Sequence, residues 1–245
     1  MATYNIDKMS GVLREPTYID SNAQSGYLAI LKNVYLWMTL ALGISGVTAI
    51  AVANSPQLLE LLYGNGLALF IVFIAQLGLV WLISARISSM SINTATALFI
   101  AYSILTGVTL ASIFIVFTQE SIASVFFISA GTFAAISLYG YTTKRDLSNW
   151  RTYLLMGLIG LIIASVVNWF MHSEMLYWII SYVGVLVFVG LTAYDTQKIK
   201  VMLQQAQYAG ISDQTNKLAL MGSLTLYLDF INLFLYILRL FGNRK

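Results

Sequence analysis

The chain has 245 residues, 59% of them hydrophobic and 9% charged, with a net charge of +3, no cysteine and a single histidine. Soluble domains carry roughly 25% charged residues, so this composition excludes a water-soluble fold, and the missing cysteines exclude disulfides, thiolate metal sites and cysteine nucleophiles. The basic balance, with a pI near 9.0, reads as membrane topology rather than nucleic-acid binding, because Lys and Arg sit in short loops between apolar runs.

In chain order, residues 1–30 read as a cytoplasmic N-terminal tail. With Asp7, Lys8, Arg14, Glu15 and Asp20 it lacks the apolar core of a cleavable signal peptide. Residues 31–245 read as one seven-helix membrane domain. A span needs about 20 mostly apolar residues, and seven segments approach that: 34–53, 66–85, 94–117, 122–142, 153–170, 176–194 and 218–241. Polar turns at 54–57 and 118–120 separate some of them. Strand-type alternation is missing, so the fold class is all-α and polytopic.

Orientation follows from the basic residues. With the N-terminus inside, Lys8, Arg14, Lys32, Arg86, Lys144, Arg145, Arg151, Lys198, Lys200 and Lys217 all fall on the inner side, and the three outer loops hold none. That places the N-terminus in the cytoplasm. Arg239, Arg244 and Lys245 follow the seventh segment. They lie outside if it spans and inside if it re-enters, and both remain open. Trp37, Trp81, Trp150, Trp169 and Trp178 read as headgroup-level anchors. Gly157, Gly160 and Ala164 in the fifth segment suit close helix approach.

The seventh segment carries Asp229 in the middle of an apolar run. Intramembrane carboxylates are costly and usually face a bundle interior or an aqueous pathway. Gly222, Thr225, Asp229, Asn232 and Tyr236 recur at spacings of 3, 4, 3 and 4, one stripe of a helix with about 3.6 residues per turn. The sixth segment repeats the device with Tyr177, Ser181, Gly184, Phe188, Thr192 and Asp195. Arg86 ends the second segment on the same side as Asp195, so an ion pair between them is allowed. The only histidine, His172, sits in a short outer turn and cannot by itself make a zinc site.

The runs Tyr194-Asp195-Thr196-Gln197-Lys198-Ile199 and Leu224-Thr225-Leu226-Tyr227-Leu228-Asp229-Phe230-Ile231-Asn232-Leu233-Phe234 resemble the transmembrane Bax inhibitor motif family, its bacterial branch most closely. Lys144-Arg145-Asp146-Leu147-Ser148 is similar to the family's basic loop. The resemblance covers roughly residues 30–243. It implies a seven-helix fold with the last helix surrounded by the other six, and a pH-sensitive calcium leak. It also implies a proton-sensitive pair at Asp195 and Asp229, with Arg86 latching the closed state. Some bacterial relatives carry a glutamate in the second helix, where this chain has Gln76 nearby, which weakens any outer cation site there.

Physical reasoning fits that implication. Two carboxylates close together in a low-dielectric site cannot both ionise cheaply, so such a pair holds one proton between them. Losing the proton adds repulsion, which calcium, preferring oxygen ligands, relieves. The expectation is therefore no resident cofactor, calcium as the transported ion with Asp195 and Asp229 as transient ligands, and protons as regulator. Thr192, Thr225, Asn232 and Tyr236 are the pore-lining candidates. The expected partners are the lipid bilayer and calcium, without nucleic acid, and the expected location is the bacterial inner (plasma) membrane. No enzyme activity is expected. An intramembrane aspartyl protease would set glycines beside its second aspartate, where this chain has Leu228 and Phe230. A proton-coupled transporter and a non-conducting membrane regulator are the remaining alternatives. One difficulty stands: if the seventh segment spans as drawn, Asp229 and Asp195 differ in depth by roughly 12 Å. A direct hydrogen bond needs the sixth segment to continue past Asp195, or the seventh to start nearer Asp229.

Overall fold

The computed structural model describes residues 21–64, 66–208 and 212–245. The basic positions Lys8 and Arg14, and most of the expected tail, lie outside them. Eight helices occur among the described residues: α1 (Ser21–Ala53), α2 (Pro56–Tyr63), α3 (Leu67–Arg86), α4 (Ile92–Val116), α5 (Gln119–Thr142), α6 (Trp150–Met171), α7 (Glu174–Tyr208) and α8 (Ser212–Phe241). Seven are long and apolar enough to cross a membrane, and α2 is the exception. Helix α1 is already formed at Ser21, the first described residue, within the stretch expected to be tail.

Local chemistry sets the ends. Ser91 and Thr118 accept the backbone N–H of Thr94 and Ser121 at the starts of α4 and α5, satisfying a donor that the helix itself cannot. The expected polar turn at 54–57 contains the start of α2. Ser55 is its cap and Pro56 its first residue, a position where proline's missing N–H costs nothing. Helix α6 ends on His172, whose φ of 50° is left-handed.

The last helix is the centre. Buried residues make up 67% of the most apolar window of α8, against 6% for α3 and 11% for α6. Helix α8 packs on α1, α4, α5 and α7, while α3 leans on α4 and α6 on α7. The ring around it therefore has four main members rather than six. The two outer helices turn Phe70, Phe73, Leu77, Ile159 and Ile163 outward, as a lipid-facing surface does. Close approach also differs from expectation on α6. A Cβ on Gly157 would lie 3.0 Å from Val187 Cγ2, whereas Gly160 has open space around it. Gly160 is not a packing glycine.

Helix α8 spans the bundle. At its start Lys217 Nζ donates to Ser88 O in the α3–α4 turn. At its end the tail lies against the α4–α5 turn: Phe117 bridges Arg244, Thr118 N–H donates to Asn243 O, and Asn243 N–H donates to Ser121 Oγ. Arg239, Arg244 and Lys245 thus sit on the face opposite Arg86, Lys144 and Lys217, and the re-entrant alternative is excluded.

Candidate functional site

The two polar stripes meet. Gly222 of α8 lies against Ile199 of α7, and Gly184 of α7 lies under the Tyr236 ring. Tyr236 also stacks on Phe188, with centroids 5.7 Å apart. Around the Gly222–Ile199 contact Asp195, Lys198, Gly222 and Thr225 line a cleft of about 30 Å3, room for roughly one water molecule.

Helix α7 continues to Tyr208, 14 residues beyond the end expected from hydropathy, and this removes the depth difficulty. Residues 195–208 carry Gln, Lys, Met, Leu and Ala, good helix formers, and Ile199 and Leu203 are buried against the start of α8. The antiparallel register set by the Gly222–Ile199 and Gly184–Tyr236 contacts places Asp195 roughly one turn, about 5 Å, below the level of Asp229. The anticipated separation of roughly 12 Å is thereby corrected.

Both carboxylates are buried, Asp195 at 9% exposure and Asp229 at 5%. Among the described residues Asp229 Oδ2 has no hydrogen-bonding partner. Each carboxylate lies within electrostatic reach of other charge: Asp195 acts on Asp229, and Lys198 acts on Asp195. Arg86 is exposed, on a helix that packs against α4 rather than α7 or α8. Its guanidinium forms no ion pair among the described residues, so the latch is not made in this conformation.

Three of the other candidates along the seam bond back to their own helices. Thr192 Oγ1 donates to Phe188 O at 2.7 Å, Thr225 Oγ1 to Met221 O at 3.0 Å and Asn232 Nδ2 to Leu228 O at 2.8 Å. Each side chain spends a donor on a carbonyl one turn back in its own helix. The described residues hold no group of three or more His, Asp or Glu suited to a metal ion. Two carboxylates fall short of the 6–8 oxygens that calcium takes.

A second polar cluster was not evident in the sequence beyond Gln76. Tyr227, fully buried on the opposite side of α8, shares a 2.7 Å hydrogen bond with Ser45 of α1. Ser45 Oγ also lies 2.7 Å from Ser103 O of α4. The Tyr227 ring meets Phe99 and Tyr102 edge-on at 5.8 and 6.0 Å. Gln76 Nε2 donates to Thr106 and Thr109, so this amide ties α3 to α4. The serines and threonines inside apolar helices were the available signal, but their partners are not legible from spacing.

On the basic face, Gln197 of α7 grips the α5–α6 loop. Leu147 N–H donates to its Oε1, and its Nε2 donates to Arg145 O, both at 2.8 Å. Within that loop Asp146 accepts the Ser148 N–H at 2.9 Å, which holds its carboxyl below the usual carboxylate range.

Comparison with known proteins agrees with this architecture. The family model described as inhibitor of apoptosis-promoting Bax1 matches residues 28–245. The inner membrane protein YbhL of Escherichia coli is 52% identical over 222 residues, 91% of this chain and 94% of that protein. An uncharacterized protein of Borreliella burgdorferi is 47% identical over 215 residues, 88% of this chain and 92% of its own length. Protein RP147 of Rickettsia prowazekii is 44% identical over 220 residues, 90% and 92% of the two chains.

Proposed function

The chain belongs to the family of inhibitors of apoptosis-promoting Bax1, and on that premise we propose that it is a pH-sensitive calcium leak of the bacterial inner membrane, gated by Asp195 and Asp229. One observation carries the reading. Asp229 sits on the central helix with Oδ2 unpartnered among the described residues, within electrostatic reach of the buried Asp195. A buried charge is tolerated only when it is paired, hydrogen-bonded or neutralised. Here a proton shared by the pair, or a divalent cation taken from the seam, supplies that compensation, so proton and cation compete for one site. Arg86 stabilises the closed state when its helix moves toward α7. The name of the E. coli relative supports the inner membrane, and the distribution of basic residues supports a cytoplasmic N-terminus.

The test is calcium flux from the purified full chain in liposomes loaded with a calcium dye, from acid to mildly alkaline pH. Wild-type flux varies with pH, and Asp229→Asn, which cannot share the proton, flattens the profile. An unchanged profile in that variant overturns the gating role. Proton counterflow during calcium entry would identify a coupled transporter, and no flux at any pH would leave the non-conducting regulator.

A further inference from the structure

We propose that a cleft of about 590 Å3 between the α6–α7 turn and the end of α8 binds a phosphate-bearing lipid headgroup, with the guanidinium groups of Arg239 and Arg244 as its ligands. This site lies on the face opposite the basic loops and is independent of the carboxylate pair.

Charge is the first argument. Arg239 and Arg244 both line the cleft, and Glu174 is its one acidic residue. Neither guanidinium forms an ion pair among the described residues. Arg239 instead lies over the Tyr236 ring at 5.3 Å and Arg244 over Tyr177 at 5.5 Å. Arg244 also donates to Tyr177 Oη at 2.9 Å. Stacking holds the planar forks in place and leaves N–H groups free. A guanidinium fork matches two oxygens of a phosphate, a fit that a lysine ammonium lacks.

Pre-organisation is the second. The tail carrying Arg244 is fixed by its backbone bridge to Phe117. The facing wall is held by His172 in a left-handed conformation, and by Asn168 Oδ1 accepting the Ser173 N–H at 3.0 Å. A non-glycine residue with positive φ costs energy, and such strain concentrates at ligand sites.

Position is the third. Trp169, Phe170 and Met175, each more than half exposed, stand around the same turn, as aromatic residues do at headgroup depth. A cleft at that depth meets lipid phosphate at high local concentration. Two cations against one carboxylate leave an excess positive charge, which favours an anionic lipid over a zwitterionic one. The same arginines are two of the three cations, with Lys245, that break the positive-inside pattern, and anion binding gives their place on this face a purpose.

Native mass spectrometry of the purified full chain decides the matter, titrating phosphatidylglycerol, phosphatidylcholine and inorganic phosphate separately. Phosphatidylglycerol is expected to bind at least tenfold tighter than phosphatidylcholine. Arg239→Gln with Arg244→Gln removes that preference, whereas Lys144→Gln with Arg145→Gln on the opposite face keeps it. Displacement of the lipid by inorganic phosphate would assign the site to the free anion and overturn the lipid assignment. Arg244→Glu alone, at an exposed position, serves if the double variant does not fold, and it weakens phosphatidylglycerol at least fivefold. Equal affinity in the wild type and either arginine variant overturns the site.

Discussion

At alkaline pH, once the shared proton is lost, replacing Asp229 with leucine removes a carboxylate whose Oδ2 has no partner among the described residues, and with it the repulsion from Asp195. An unsatisfied buried polar group costs about 1–3 kcal/mol, and an apolar side chain of the same branching recovers that amount. In a chain of this size, 1 kcal/mol moves the melting temperature by roughly 2–4 °C, so Asp229→Leu is expected to melt about 2–12 °C higher. The two methyl groups are larger than the oxygens, and overpacking subtracts about 1–3 kcal/mol where the site cannot yield. Asp229→Asn, which matches the carboxylate in shape, separates size from charge. Thermal unfolding in detergent, followed by tryptophan fluorescence, provides the measurement beside the flux assay. A gain in stability together with a loss of pH-dependent flux marks a group kept for function against its cost to the fold. If both variants melt several degrees lower, Asp229 is a satisfied structural group, and the reasoning from its unpartnered oxygen fails.

Other expectations concern packing and topology. At Gly140 an added Cβ would run into the backbone carbonyl of Ala193 and lie 3.0 Å from its Cα. Gly140→Ala therefore destabilises by about 1–3 kcal/mol, less the small helix-propensity gain. Gly160→Ala meets open space and gains up to about 1 kcal/mol; melting temperatures that move in the same direction for both would contradict the α5–α7 contact. Gln197→Ala releases two hydrogen bonds that hold the α5–α6 loop, worth roughly 1–2 kcal/mol together. Trypsin should then cut at Lys144 and Arg145 about tenfold faster. Cutting in inside-out vesicles, and protection in right-side-out ones, is the outcome that places the basic face in the cytoplasm.

Much of this molecule is written locally. Apolar runs near the length of a bilayer core dictate seven spans. The recurrence of Thr225, Asp229 and Asn232 at helical spacing dictates a polar seam on the last of them, because periodicity within a helix needs no knowledge of its neighbours. The extension of α7 past Asp195 was hidden because hydropathy reports where a helix leaves an apolar medium, not where it ends. Residues 195–208 stay helical by packing Ile199 and Leu203 on α8, and that packing sets Asp195 about one turn from the level of Asp229. The pairing of Tyr227 with Ser45, 182 residues away, depends likewise on helices that touch only once the bundle is assembled. So do the contrast between Gly157 and Gly160, the solvent-facing Arg86 and the arginine-lined cleft. Sequence alone determined which helices form and which of their faces are polar. Tertiary structure decided which faces meet and at what register, since register is the sum of many contacts along a whole interface and no single residue type encodes it.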